Sequence, residues 1–339
     1  MKTHQSNTLG LALRDFFCNY LPQLRGMSSH TTLSYRDSVK LRLMFLAQQK
    51  NLSVSDLLVE NIDVSAVIAF LNHLERNRHN CMGTRNTRLA AFHSFFRYLA
   101  QSYPEHLNQS QRILNIPFKR TTTRIIEYLE FEEILAVLNT IDRSKSDGRR
   151  DYALLSLMFN TGARVQEIVT LKANDLQLSK PFSVHIFGKG RKERICPIWP
   201  ETAQVLSEYV EEREIDLRKP ETLFKNHLRG SLTRFGVRYI LRKCIRKATN
   251  AQPSLGKKRL HPHSVRHSTA VHLLKSGVDL STIAHWLGHV SVNTTNKYAV
   301  VDLEMKRQAI AKAKPLNNET NSHVSWRQNP DTLSWLAAL

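Results

Sequence analysis

The segment 116–124 divides this chain into two parts whose apolar residues follow different periods. Pro117 disfavours helix at the residue before it, and the threonines and cations that follow favour an extended linker. A chain of 339 residues is also longer than most single domains. We predict a helical domain at 1–117, a basic linker at 118–126, a second domain at 127–315 and a tail at 316–339.

The N-terminal part predicts a small bundle of helices. Apolar residues recur at helical spacing, with stripes such as Val64, Val67, Phe70, Leu71 and Leu74. Four helices are predicted, at 8–20, 31–49, 64–74 and 89–99. Taken alone, this unit is either a plain helical bundle or a clamp on DNA.

The second part combines helices with one β-hairpin. The run 182–187 is apolar and β-branched, and a glycine-bearing, cationic turn separates it from a second strand at 195–198. Helices are predicted at 131–140, 149–159, after Arg164, and at 202–213, 232–248, 264–276, 280–287, 292–298 and 303–313. The predicted fold class is mainly α with a small β-sheet or hairpin, an α+β fold.

The charge favours nucleic acid as the partner. Lysine and arginine number 49 against 29 acidic residues, and the excess of +20 is spread along the chain. No apolar run reaches the ~18 residues of a membrane span, and no signal-peptide pattern is present, so we predict a cytoplasmic protein. Four separated cysteines indicate neither a disulfide framework nor a zinc site. Candidate DNA-contacting cations are Arg85, Arg88, Lys119, Arg120, Arg124, Arg191 and Lys192.

Two motifs place cations beside turns. Gly162 ends one predicted helix and Arg164 opens the next, where Glu167 lies on the same face and can hold the guanidinium. Lys189 lies at the tip of the hairpin. Taken alone, the first motif is better explained by an ordinary helical ion pair, and the second by a solvated lysine.

Two further motifs place histidines beside an arginine and a tyrosine. His263 and Arg266 meet on the first turn of a helix, whose N-terminal N–H groups attract anions. His267 points elsewhere on the helical wheel and is predicted to pack or cap. His289 follows a glycine that ends another helix, and a short helix then presents Tyr298.

Together these motifs resemble the tyrosine recombinase family, also called the phage integrase family. The resemblance rests on Thr-Gly-Ala-Arg-x-x-Glu, Gly-Lys-Gly-x-Lys-x-Arg, His-x-x-Arg-His, and Leu-Gly-His with a tyrosine nine residues after its histidine. All four occur in the family's order. The likeness covers residues 125–313 closely and the N-terminal unit more loosely, as a SAM-like core-binding domain.

The resemblance implies a site-specific recombinase that cleaves and rejoins double-stranded DNA through a 3′-phosphotyrosine, without metal, cofactor or ATP. It implies four protomers on paired sites, alone or with a related recombinase. It assigns Arg164 and Arg266 as clamping arginines, Lys189 as the hairpin lysine with Lys192 as a second candidate, His263 and His289 as active-site histidines, Glu167 as a supporting acid and Tyr298 as the nucleophile.

The chemistry agrees with this residue set. Planar guanidiniums match the charge that grows on the non-bridging oxygens of a phosphodiester. A phenol with a pKa near ~10 needs a base, for which His263 is the candidate, and Lys189 is the candidate acid for the leaving 5′ oxygen. The alternatives are a type IB topoisomerase, a DNA-binding protein without catalysis, and a metal hydrolase using His261, His263 and His267.

The tail and the N-terminus bear on assembly and role. Trp335 and Leu336 belong to an apolar end that we predict to dock on a neighbouring protomer. We expect no arm-binding domain before the helical unit, which favours a simpler recombinase that integrates, excises or transposes a mobile element. Phage integration, cassette insertion and chromosome-dimer resolution remain alternatives.

Overall fold

The chain forms two compact units, Met1–Arg124 and Ile125–Leu339. The computed structural model describes residues 7–121, 126–188, 192–288, 295, 296 and 298. Across these ranges, no helix is both long enough and apolar enough to cross a lipid bilayer.

The N-terminal unit packs helices around an aromatic core. Phe16, Phe70 and Phe92 are buried in it with many aliphatic side chains. A π-helix, Phe16–Leu24, continues the first α-helix and contains Pro22, which has no N–H to offer an α-helical hydrogen bond. The α-helices are α1 Thr8–Asp15, α2 Ser29–Lys50, α3 Val64–Arg76, α4 Met82–Ser102 and α5 Leu107–Leu114. Helix α5 adds to the four that the sequence predicts.

The second unit surrounds a small antiparallel sheet with helices. Its strands are β1 Leu176–Gln177, β2 Ser183–Phe187 and β3 Glu193–Pro197, in the order β1-β2-β3. Its helices are α6 Phe131–Asn139, α7 Ser146–Thr161, α8 Val165–Val169, α9 Pro200–Glu212, α10 Arg234–Ala248, α11 Pro262–Lys275 and α12 Leu280–Leu287. The predicted fold class, mainly α with a small β-sheet, is confirmed.

The sheet register sets which side chains of the hairpin face the core. Ile186 on β2 lies opposite Arg194 on β3, and Phe187 lies opposite Glu193. The Gly188 N–H donates to the Lys192 carbonyl at 2.7 Å and closes the turn. The hairpin therefore directs Arg194 toward the helices that form the site.

The last predicted helices fall mostly outside the described residues. Of 292–298, only Thr295, Asn296 and Tyr298 are described, and they are helical. The predicted helix 303–313 and the tail 316–339 lie outside the described part of the chain.

Candidate active site

Glu167 lies between two arginines of the second unit. Its carboxylate accepts hydrogen bonds from Arg164 Nη1 at 2.7 Å and from Arg194 Nη2 at 2.8 Å. The Arg164 backbone N–H also donates to it, at 2.9 Å. Burial alone would raise the pKa of Glu167, but Arg194 and Arg164 bring it below its usual value. The acid is therefore ionised at neutral pH and holds both guanidiniums.

Arg194 connects three segments of the unit. It extends from β3, its side chain is only 9% exposed, and its Nε donates to the Trp286 carbonyl at 2.9 Å. Trp286 belongs to α12, whereas Glu167 belongs to α8. The sequence motif of the hairpin includes Arg194 but assigns it no role.

Arg266 is buried between the ends of two helices. Its Nη1 donates to the Gly162 carbonyl at 2.8 Å, and its Nη2 donates to the Leu287 carbonyl. These carbonyls lie at the C-terminal ends of α7 and α12, where the helix dipole places partial negative charge. Burial, with the positive charge of Arg164, lowers the pKa of Arg266 to about 10. The guanidinium remains charged at neutral pH.

Gly162 allows this close approach. It ends α7 with a φ of +59°, a conformation that L side chains rarely adopt. A Cβ at this position would lie 2.7 Å from Leu287 Cδ2 and 3.2 Å from Thr269 Cβ. A larger residue would push apart the three helix segments that fix Arg266.

Tyr298 is fully buried and lies against the same helix as Arg266. Its hydroxyl is 2.8 Å from His267 Nδ1. Burial raises the pKa of Tyr298 to about 12, although the charges of Arg266 and Arg164 act to lower it. Tyr298 also belongs to the same apolar cluster as Leu287, whose carbonyl accepts a hydrogen bond from Arg266. His267, predicted to pack or cap away from Arg266, packs its ring against Tyr298.

The structure describes only one of the three remaining predicted catalytic residues. His263, on the first turn of α11, is exposed, and its ring centroid is 6.1 Å from that of His261 in an edge-to-face arrangement. Lys189 and His289 lie outside the described residues. Among the described side chains, no three histidine, cysteine or acidic residues form a group that could hold a metal ion.

The predicted DNA-contacting cations of the first unit differ in exposure. Arg85 is buried and pairs with Glu75 at 2.7 Å. Lys119 pairs with the same acid at 2.8 Å but is half-exposed, and Arg120 is exposed. Arg88 is half-buried, and burial, with the charge of Arg78, lowers its pKa. Glu75 thus holds the Arg85 guanidinium inside the unit.

The hairpin and linker cations are only partly described. Lys192 is exposed beside the turn of the hairpin. Arg124 and Arg191 lie outside the described residues.

Helix α10 carries a basic face that the sequence motifs did not single out. Its buried side consists of apolar residues such as Val237 and Leu241. Its exposed cations are Arg234, Arg238, Arg242, Lys243, Arg246 and Lys247. The aromatic rings of Phe235 and Tyr239 are 67% and 68% exposed beside them. The signal in the sequence was a helix without any acidic residue, RFGVRYILRKCIRKA.

Comparison with known proteins agrees with this architecture. Residues 127–305 match the Phage integrase family, and residues 15–103 match its N-terminal SAM-like domain. The putative integrase/recombinase y4rC of Sinorhizobium fredii is 39% identical over 340 residues, covering 100% of both chains. Tyrosine recombinase XerD of Listeria innocua is 30% identical over 299 residues, covering 87% of this chain and 96% of XerD.

A solved structure shares the fold. The XerH site-specific recombinase, in a post-cleavage complex with palindromic difH substrate, superposes with a TM-score of 0.63 at 24% identity. The match covers 85% of this chain and 81% of XerH. A helical SAM-like unit followed by an integrase catalytic unit defines a tyrosine-type site-specific recombinase. The chain belongs to the phage integrase family, and the predicted resemblance is confirmed.

Proposed function

We propose that this recombinase cleaves one strand of double-stranded DNA with Tyr298 and keeps the 3′ end as a phosphotyrosine. The observation that carries the proposal is the 2.8 Å contact of the Tyr298 hydroxyl with His267, the residue next to Arg266 on the same helix. Both arginines lower the pKa of that phenol while burial raises it. A nucleophile beside two fixed cations is the arrangement that attack on a phosphodiester requires.

The two guanidiniums would act as the phosphate clamp. Arg164 is held by Glu167 and is 31% exposed, so it can reach a ligand. Arg266 is fixed by the Gly162 and Leu287 carbonyls. Groups that are already fixed need little reorganisation when charge grows on the non-bridging oxygens. Such a clamp needs neither metal nor ATP.

The chemical step conserves the phosphodiester bond energy. Tyr298 Oη attacks phosphorus, the bond from phosphorus to the 5′ oxygen breaks, and the phenol loses its proton. We assign His263 as the acceptor of that proton, Lys189 as the donor to the 5′ oxygen and His289 as a hydrogen-bond donor to the phosphate. Attack by a 5′ hydroxyl from another duplex then forms a new phosphodiester and releases the tyrosine.

The buried position of Tyr298 implies that the phenol moves before it attacks. Its side chain has no exposed surface, and its hydroxyl is 2.8 Å from His267. A DNA phosphate cannot reach this oxygen, or the Arg266 guanidinium that is 3% exposed, until the site opens. We infer that docking on DNA, or contact with a second protomer, draws the tyrosine out.

DNA would contact both units, as a polyanion bound by a chain of net charge +20. In the second unit, the exposed cations of α10 would contact phosphates, with Lys192 and Arg191 at the hairpin. In the first unit we assign Arg88, Lys119, Arg120 and Arg124 to this contact. Arg85 remains a weaker candidate because of its pairing with Glu75. We further propose four protomers on two paired sites, acting in the cytoplasm.

The proposed biological role is integration, excision or transposition of a mobile element. The support is the name integrase/recombinase carried by y4rC, which is similar along its whole length. Two copies of the DNA flanking the gene, placed on one plasmid, should therefore recombine when the protein is supplied. An unchanged plasmid, despite cleavage at these copies, would exclude this role.

The strand-cleavage proposal can be tested without a known target site. Purified protein is incubated with fragments of the DNA flanking its gene, and complexes that resist sodium dodecyl sulfate are isolated. Mapping the fragment ends gives the cleavage position, and a duplex nicked beside that position then traps the adduct. We expect the wild type to form the adduct in the presence of chelator, and Tyr298→Phe to form none. An adduct that persists in Tyr298→Phe would refute the proposal.

A further inference from the structure

Arg194 lies behind the proposed clamp, where it is almost fully buried. Its side chain is 9% exposed, yet it joins β3 to both Glu167 and Trp286. We propose that Arg194 is a positioning residue that sets the charge and orientation of the arginine clamp. This inference rests on the proposed strand cleavage. It adds a residue that affects cleavage by positioning other side chains.

The first link runs through Glu167. One carboxylate oxygen accepts from both the Arg164 backbone N–H and Arg194 Nη2, and the other accepts from Arg164 Nη1. A single negative charge is thus divided between two guanidiniums. Without Arg194, the site has one positive charge fewer, and the negative charge of Glu167 offsets more of the positive charge of Arg164. Arg164 would then attract a phosphate less strongly.

The second link runs through the end of α12. Arg194 Nε donates to the Trp286 carbonyl, and Arg266 Nη2 donates to the carbonyl of the next residue, Leu287. Movement of this helix end would therefore displace Arg266. Arg194 acts on both clamping arginines, on one through a carboxylate and on the other through a backbone segment.

The backbone after this helix end leaves room for Arg194. Gly288 ends α12 with a φ of +64°, and a Cβ there would lie 3.2 Å from Arg194 Nη1 and 3.3 Å from its Cδ. The guanidinium therefore packs directly on the chain that leads to residue 289. A lysine could reach Glu167 or the Trp286 carbonyl, but its single ammonium cannot reproduce the planar two-sided contact.

Arg150 offers a matched control in the same unit. Its side chain is 8% exposed, it pairs with Asp151 at 2.7 Å, and it donates to the Lys225 carbonyl at 3.2 Å. Arg150 thus repeats the buried pairing of Arg194 with a carboxylate and a carbonyl. No contact joins it to Glu167, Arg164 or Arg266 among the described residues. Arg150→Met therefore reports the cost of removing a buried arginine alone.

The experiment compares wild type, Arg194→Lys, Arg194→Met and Arg150→Met on three nicked duplexes. The first carries the natural phosphodiester at the scissile position. The second carries a methylphosphonate, which lacks one non-bridging charge and so depends less on the clamp. The third carries a 5′-bridging sulfur, a leaving group that needs no acid. Single-turnover adduct formation and DNA affinity are measured, and thermal unfolding confirms that each variant is folded.

On the phosphodiester, we expect Arg194→Met to cleave about 10–100-fold more slowly, as expected for a displaced catalytic group, with DNA affinity within about threefold of wild type. Arg194→Lys should recover part of this loss and remains informative if the methionine variant does not fold. On the methylphosphonate, the defect should shrink at least about tenfold because the missing charge relieves the clamp. The bridging sulfur should leave the defect unchanged.

Three outcomes would overturn the assignment: no defect in either variant, an equal defect on all three duplexes as in Arg150→Met, or relief by the bridging sulfur alone. The last would mean that Arg194 assists the leaving group instead of the clamp. If wild-type protein formed no adduct on any duplex, strand cleavage itself would fail. That result is distinguishable, because the other outcomes all require an active wild type.

Discussion

His267 Nδ1 lies 2.8 Å from the hydroxyl of Tyr298, and this contact joins two residues 31 positions apart. The neighbouring side chain, Arg266, faces the helix-end carbonyls instead. The same helix thus supplies one residue that fixes the phenol and one that would bind phosphate. Because the phenol is buried and protonated at neutral pH, this contact would hold the proposed nucleophile in place before it attacks DNA.

Substitution of His267 should expose Tyr298. Loss of a hydrogen-bond partner for a buried polar group costs about 1–3 kcal/mol, so the buried position of the phenol becomes less favourable. We expect nitration of Tyr298 by tetranitromethane, in protein without DNA, to be about fivefold faster in His267→Ala. Mass spectrometry of the peptide that contains Tyr298 gives the rate.

His272→Ala is the control for this measurement. His272 lies on the same helix, and its Nε2 is 3.0 Å from the Leu129 carbonyl. Tyr209, whose hydroxyl donates to the Leu223 carbonyl, serves as a buried internal reference. Equal nitration of Tyr298 in His267→Ala and wild type would show that His267 does not hold the tyrosine.

Glu167→Gln should lower the stability of the second unit in a pH-dependent way. The amide removes the negative charge that offsets the repulsion among Arg164, Arg194 and Arg266. We therefore expect the free energy of unfolding to fall by about 3 kcal/mol at pH 7. The pKa of Glu167 lies below its usual value, so its contribution is present above the unfolded pKa and is lost as pH falls through the folded one. Urea unfolding should show the difference from wild type shrinking below about pH 4.

An exposed acid provides the comparison for Glu167. Glu208 pairs with Arg143 at 3.2 Å and is 45% exposed. Glu208→Gln should change the unfolding free energy by less than about 0.5 kcal/mol, as exposed pairs contribute little. A loss for Glu167→Gln that stays constant from pH 7 to pH 3 would contradict the assigned pKa.

The sequence predicts the local structure well where the apolar residues follow a single helical or strand spacing. Helix α3 is predicted at 64–74 and found at Val64–Arg76, because its apolar stripe is strong. Helix α5 is missed because its sequence, LNQSQRIL, is mostly polar. Strand β1 has only two residues, too few to show an alternation.

In the candidate site, too, the sequence predicts local contacts but not long-range ones. The contact between Arg164 and Glu167 is predictable because it joins residues three positions apart on one helix. The contacts of Arg194 with Trp286 and of His267 with Tyr298 span 92 and 31 positions. They depend on how helices pack, so motif spacing cannot reveal them. The pairing of the candidate cation Arg85 with Glu75 likewise joins residues on different helices and cannot be read from motif spacing.

The basic face of α10 should determine the salt dependence of DNA binding. Removing one cation that neutralises a phosphate reduces the slope of log K against log salt concentration by about 0.9. We expect Arg238→Gln and Arg242→Gln each to show such a reduction on a mixed-sequence duplex, measured by fluorescence anisotropy. Arg150→Gln should leave the slope unchanged, because the Arg150 side chain is 8% exposed and pairs with Asp151. Unchanged slopes for both α10 variants would exclude this face from the DNA interface.

Arg42 should reduce the stability of the N-terminal unit. Its side chain is 1% exposed, and none of its guanidinium nitrogens has a hydrogen-bond partner in the part of the chain that the structure describes. The cation lies 4.9 Å from the ring centroid of Phe92 and 5.7 Å from that of Phe70, and burial lowers its pKa. Removing a charge from such a site is often stabilising, so we expect Arg42→Met to raise the unfolding free energy by about 1–3 kcal/mol in urea. Arg36→Met, at an exposed pair with Asp37, should change it by less than about 0.5 kcal/mol. If Arg42→Met instead unfolds more readily than wild type, the attraction of the cation to the two rings exceeds the cost of burying it.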